Sequence, residues 1–344
     1  MSALLVGVAA ALQAASAWAP GTPLPEPRAN LTTAAVSVDG RWSLVAALGL
    51  EAGRTWRDVT ASAFLYDPAA GRWRKLPDVP GPGRLAGTAR AWRGKLFIYG
   101  GYTVAEDGSE RSVPNVDVLD VRAAAWTRAA DIPVPTDDAV SGLWRDSLVY
   151  LVSGWHDRDN VRDVQVHDLS ADRWLGATPI PGPPVFGHAG AVARDVIVYI
   201  DGVRVDRDPR RFVLEASSWR GDIDPTDPTR VTWRRIADHP GPPLYRAAAG
   251  AWGDWVIFAG GTDNPYNYSG VGYDTRPAEP RTGVFAYNVR TGEWRELEPL
   301  PVAVMDHRGL VIAGDRAYLI GGMEAGQTVT RLVQVADLRV LLGG

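Results

Sequence analysis

The segment Trp73-Arg-Lys-Leu-Pro-Asp-Val-Pro-Gly-Pro-Gly-Arg84 and the apolar run Leu96-Phe-Ile-Tyr-Gly-Gly101 that follows it decide the architecture. The first reads as a strand led by an indole and ended by a proline-rich linker. The second reads as a strand closing on a glycine pair. Trp73 and Gly101 stand 28 positions apart. The same interval separates Trp126 from Gly154, Trp174 from Gly202, Trp233 from Gly261 and Trp294 from Gly322. A constant phase of this kind marks a chain built from repeated supersecondary units.

Each unit divides into four strands, a to d. Strand b is the apolar run. Its other copies are Leu148-Val-Tyr-Leu-Val-Ser-Gly154, Val196-Ile-Val-Tyr-Ile-Asp-Gly202, Val256-Ile-Phe-Ala-Gly-Gly261 and Ala317-Tyr-Leu-Ile-Gly-Gly322, with Leu44-Val-Ala-Ala-Leu-Gly49 as a degenerate first copy. Glycine at the strand end permits a left-handed backbone and the close approach of a neighbour. Strand c ends on a polar turn residue, as in Tyr66-Asp67, Leu119-Asp120, His167-Asp168, Tyr287-Asn288 and Ala336-Asp337. Such carboxylates and amides cap turns by accepting backbone N–H groups two residues on. Strand d opens on the tryptophan, whose ring packs between units and whose single donor needs an acceptor.

A strand ending in Gly-Gly, a Tyr-Asp turn and a spaced Trp together resemble the kelch repeat, and the resemblance covers essentially all of the chain after the leader. It implies an all-β fold, a six-bladed kelch β-propeller. The blade units are expected at about 28–80, 81–135, 136–181, 182–240, 241–301 and 302–340. The last unit supplies strands a, b and c but no tryptophan strand after Asp337. At the other end, Trp18-Ala-Pro-Gly-Thr-Pro-Leu-Pro-Glu-Pro-Arg28 reads as a d strand and linker without the strands that should precede it. Residues 18–25 are therefore expected to pair beside 331–338, completing the last blade and leaving no sheet edge open. One domain, 18–344, results.

Composition agrees. A chain of 344 residues is long for a single core, but radial repeats add a layer of core with each unit. The 37 glycines, 26 prolines and 14 tryptophans suit short strands and tight turns. The formal charge of −4, with Arg and Asp interspersed, offers no basic stripe for phosphates, so nucleic acid is not expected as a partner. No internal apolar run approaches the ~18 residues a bilayer span needs. Cysteine is absent, which excludes disulfides, thiolate metal sites and cysteine nucleophiles. No cofactor is expected, because the cysteine-linked tyrosine of the kelch-type galactose oxidase cannot form here. No metal site is expected either. His156, His188 and His307 fall in different blades, and Asp222-Ile-Asp224-Pro-Thr-Asp227 lacks the glycine and glutamate of a calcium loop.

Residues 1–17 carry an apolar stretch from Ala3 to Leu12 and then Ala15-Ser-Ala17, the pattern of a signal peptide with a small-residue cleavage site. A periplasmic or secreted protein is expected, or a cytoplasmic one if the leader is not a signal peptide.

Loops b–c and linkers d–a should emerge on one face, where loop length varies most, and such loops carry binding residues. The blade-five loop Thr262-Asp-Asn-Pro-Tyr-Asn-Tyr-Ser-Gly-Val-Gly-Tyr-Asp-Thr-Arg276 alternates tyrosines with polar groups, which suits a sugar or polyol. Candidate ligand-binding residues are Arg84, Trp155, His156, Asp263, Asn264, Tyr266, Asn267, Tyr268, Tyr245 and Arg308. Asp138, His188, Arg246, Asp306 and His307 should converge on the axis at the same mouth and are the catalytic candidates; the competing reading is an ion-pair network between blades.

The chain is thus expected to be an exported binding module, monomeric, for a carbohydrate, another small polar ligand or an envelope protein. The alternatives are a sugar mutarotase and a cytosolic protein-interaction propeller. The leader, the six repeats and the start Pro23-Leu-Pro-Glu-Pro27 resemble the N-acetylneuraminate epimerase family, which interconverts sialic acid anomers. That resemblance implies a catalytic Glu just after strand b of blade four with an Arg a few residues on. Here Asp201-Gly202 is followed by Val203, with Arg204, Arg207, Arg210 and Arg211 nearby, and Asp206 or Asp208 would substitute for the carboxylate only if the loop were rearranged.

Overall fold

The computed structural model describes residues 16–208, 210–265 and 277–343. They form six four-stranded antiparallel sheets. Blade 1 runs Thr32–Val38, Arg41–Ala47, Ala63–Asp67 and Arg72–Leu76, and blades 2 to 5 repeat this a–b–c–d order. Blade 6 takes strands a to c from Val311–Ala313, Arg316–Ile320 and Val333–Asp337, and its outermost strand is Trp18–Pro20. Trp18 pairs with Ala336, Ala19 with Val335 and Pro20 with Gln334. The regular pairing is shorter than 18–25, because Pro20, Pro23 and Pro25 have no N–H to give. Isolated bonds continue it, from Gly21 N–H to Val333 O at 2.7 Å and from Leu24 N–H to Arg331 O at 2.9 Å. Prolines are tolerated here because the strand lies at the outer rim of its sheet.

The six phased indoles make one repeated bond. Trp73 donates to Thr22 O, Trp126 to Pro77 O, Trp174 to Ala130 O, Trp233 to Thr178 O and Trp294 to Ala237 O. Trp18 donates to Glu298 O at 3.1 Å and completes the circuit. Each donor thus meets a carbonyl at the end of the preceding blade's d strand. This satisfies the one polar atom of a ring that otherwise contributes apolar area. Ala17 is buried with Trp18. Its N–H reaches the Glu298 carboxylate at 2.9 Å and its carbonyl accepts Asp337 N–H. Residues 1–15 lie outside the described ones.

The glycine at the end of strand b is a contact requirement. Gly101 has φ +89°, and a Cβ there would sit 2.5 Å from Leu85 O. No side chain fits. After strand c of blade 6 the chain turns into a short helix, Leu338–Leu342, whose first N–H groups are capped by the Asp337 carboxylate. Leu338, Leu341 and Leu342 close over Trp18. Among the described residues no helix is long and apolar enough to cross a membrane.

Candidate functional site

The innermost strand of each blade begins at one residue with a left-handed backbone: Asn30, Ala86, Asp138, Gly187, Arg246 and Asp306, with φ between 51° and 69°. That conformation costs non-glycine residues free energy, and a circuit of hydrogen bonds about the axis offsets it. Asp138 N–H donates to Ala86 O, Gly187 N–H to Asp138 O, Arg246 N–H to Gly187 O, His307 N–H to Arg246 O and Asn30 N–H to Asp306 O. Ala86 N–H completes it on the Asn30 side-chain oxygen at 2.6 Å.

This ring brings the catalytic candidates together, but inside the protein. Arg246 holds Asp138 at 2.9 Å and Asp306 at 3.2 Å, and Arg308 holds Asp138 at 2.8 Å. Arg308 also donates to Asn30 Oδ1. Asp306 is wholly buried, and Asp138, Arg246, His307 and His188 are at most 6% exposed. His188 Nε2 donates to Val152 O at 2.9 Å. Burial pushes His188 down to about 4 against the pull of that carbonyl and of Asp138, and pushes His307 down to about 3 with help from Arg308. Both imidazoles are therefore neutral at pH 7. Burial and the adjacent Asp138 push the Asp137 carboxyl up, against its bond from Ser112 Oγ.

Above this layer, on the b–c side, the described residues fill the axis. The residue before each ring position bridges to the residue after the strand b glycine: Ala29 to Leu50, Leu85 to Tyr102, Asp137 to Trp155, Phe186 to Val203, Tyr245 to Thr262 and Met305 to Met323. Their side chains, apart from the polar Asp137 and Thr262, merge into one buried cluster, with Trp155 half-buried against it. Tyr245 is inside it, packed edge-on against Phe186 with Arg246 over its face. The expected open mouth is thus a plug, because the positions flanking the polar ring residues are mostly apolar.

On top of the plug lie half-buried Val59, Val104, Trp155, Phe212 and Leu214. Around them the b–c loops stand up as two-stranded hairpins, Tyr102–Val104 with Glu110–Ser112, Trp155–His156 with Asp159–Asn160, and Val203–Arg207 with Arg210–Leu214. Neighbouring loops are laced together. Arg57 faces Glu106, Ser112 and Asp157 exchange bonds, Arg207 meets Asp159, and Arg54 donates to Gln327 O.

Of the ligand-binding candidates, Trp155 and His156 lie on this face, half-buried. Asp263 is paired with Arg281, and Asn264 sits beside it with its N–H on Thr262 Oγ1. Tyr266, Asn267 and Tyr268 fall outside the described residues. Arg84 is a buried strap on Asp117 at 2.5 Å, while Tyr245 and Arg308 belong to the plug and the layer below it. On the blade-four hairpin Val203 fills the floor, and Arg204 binds both Asp206 and Glu215. Glu215 escaped notice because it returns beside Gly202 only through the hairpin, its N–H on Gly202 O at 2.9 Å. Asp224 and Asp227 cap local turns at Thr226 and Thr229.

The open end of the axis is the opposite one. The a strands diverge into a cavity of about 460 Å³ on the a–b face, with Trp42, Trp92, Arg93 and Asp146 at its rim and Arg90 within.

Six sheets around an axis, phased indoles and glycine-closed b strands make this chain a kelch-repeat β-propeller. No protein-family model matches it. Kelch-like protein terF of Aspergillus terreus is 28% identical over 292 residues, covering 83% of this chain and 61% of that protein. Kelch-like protein 34 of Homo sapiens is 26% identical over 292 residues, covering 82% of this chain and 42% of that one. The chain therefore spans about half the length of these relatives. A solved structure titled "Structure of YjhT" matches 91% of this chain and 95% of its own with a TM-score of 0.72 at 17% identity, a likeness of fold.

Proposed function

We propose that the propeller is a binding module that engages a protein partner through its b–c face. The observation that carries this is the apolar floor of Val59, Val104, Trp155, Phe212 and Leu214, resting on a sealed plug and ringed by charged hairpins. An apolar centre with aromatic anchors and a polar rim is the anatomy of a protein interface. Small-ligand sites on this face would need a concavity, and the plug fills the axis where one would open. The signal-like leader makes an envelope protein the expected partner.

The test places a photoreactive residue at Phe212, with a control at Trp42 on the far face, in protein made with its leader. The expected result is a discrete adduct from position 212 alone, with a mature N-terminus near residue 18. Trp155→Ala should weaken partner binding by at least about tenfold, as for an aromatic anchor. Adducts from position 42 only, or binding indifferent to Trp155, would remove the proposal. The second reading, a sugar mutarotase of the N-acetylneuraminate epimerase type, is favoured by the part-exposed Glu215–Arg204 pair at 3.1 Å. Anomer exchange at the uncatalysed rate, followed by NMR, would eliminate it.

A further inference from the structure

The cavity on the a–b face has one charged group in its depth. Four residues into strand a from the ring position, the blades carry Ala34, Arg90, Gly142, Ala191, Gly250 and Leu310, five small or apolar side chains and a single guanidinium. Arg90 reaches from blade 2 to blade 3, donating to Ala89 O at 2.7 Å and to Ser141 O. Those bonds use two of its five N–H groups. Its Nε makes no hydrogen bond and yet is not among the buried polar atoms left without a partner, so that donor is accessible on a side chain that lines the cavity. Among the described residues no carboxylate comes within ion-pairing distance of Arg90. Burial lowers its pKa to about 10, which leaves it cationic at pH 7. A strap between blades would need only the two carbonyl bonds; it would not need a full positive charge at a level where the other five blades present small or apolar side chains, the remaining charged lining residues, Arg93 and Asp146, lying at the a–b turns.

The remaining surface favours a flat apolar body. Trp42 of blade 1 is 41% exposed at the rim, and Trp92 of the neighbouring blade 2 lines the same cavity with Arg93 stacked 4.7 Å over its ring. We propose that this cavity is a second binding site, independent of the b–c face, for a small monocarboxylate with a planar apolar body. The carboxylate would sit on the Arg90 fork, the geometry in which a guanidinium is most selective. The body would lie along the alanine and glycine wall towards the two indoles.

Sodium benzoate is the probe and benzamide, its uncharged counterpart, the control, titrated by calorimetry at fixed ionic strength. The expected result is benzoate binding at least about tenfold tighter than benzamide, as a charge-assisted bond requires. Arg90→Met should abolish that preference, and Arg90→Lys, which keeps the charge without the fork, should lose part of it. Trp42→Ala, a rim substitution with no bearing on folding, should weaken both probes and keep the preference. Equal affinity for the two probes, no binding of benzoate, or an undiminished preference in Arg90→Met would overturn the proposal. The comparison of the two probes on the unaltered protein stands even if Arg90→Met does not fold.

Discussion

Arg246→Met is expected to destabilise the propeller by about 3–5 kcal/mol, the cost of stranding a buried charge. In the native ring two arginines face two aspartates, with Arg246 spanning Asp138 and Asp306 and Arg308 supporting Asp138. Methionine keeps the length of the side chain and faces the same left-handed backbone, φ 53°, so the difference reports the charge. Arg308 is then left with two buried carboxylates, and it lies 3.6 Å from Asp306. Adding Asp306→Asn restores one charge of each sign, and asparagine tolerates the φ of 69° at that position. The double variant should therefore be more stable than Arg246→Met alone. Urea denaturation of the three proteins checks this. A single-variant cost below about 1 kcal/mol, or strictly additive losses, would show that the ring is not one ionic unit.

The second large effect is with acid. His188 and His307 sit near 4 and 3 in the fold and return to about 6.5 when unfolded. Their folded values are depressed, so the stability they contribute is complete above about pH 6.5 and is lost as pH falls towards the folded values. Between about pH 6 and 4.5 the unfolded chain holds between about one and a half and two protons that the fold refuses, a slope of about 2–2.5 kcal/mol per pH unit. The raised Asp137 and the raised His239, which binds Asp201 at 2.6 Å, act in the opposite direction. The measurement is therefore the difference between the protein and its His188→Gln/His307→Gln variant. Stability of the first should fall away from that of the second by about 2–2.5 kcal/mol per pH unit in this window. Parallel curves would mean that the two imidazoles are hydrated.

The wheel was legible because its marks are contact requirements. The indoles at 73, 126, 174, 233 and 294 each need the preceding blade's carbonyl, and a Cβ at Gly101 collides with Leu85 O. Trp18 was readable as the sixth copy because a d strand and its linker keep their sequence even when the rest of the blade lies at the other end of the chain. Of the ring residues, the convergence on the axis was legible and the burial was not. Asp138, Arg246, Asp306 and Arg308 do meet at the axis, but side-chain polarity does not tell how far down the axis a residue lies. The missing signal was adjacent. Leu85, Phe186, Tyr245 and Met305 precede ring positions, and Tyr102, Val203 and Met323 follow the strand b glycines. Together they spell a plug. Arg90 was hidden for another reason. It lies within a strand joined by a tight turn, away from the variable loops, and stands out only when the six a strands are set in register.

The plug, the ionic ring and both faces take their positions from closure of the wheel by Trp18–Pro20. The chain has no cysteine, so Ala19→Cys with Val335→Cys, a directly opposed pair, supplies two unique thiols. Treatment of the folded protein with a bimane reagent that fluoresces on joining two thiols is predicted to give an intramolecular fluorescent product, absent when urea precedes the reagent. Singly alkylated thiols alone, formed while the protein is folded, would contradict the closure.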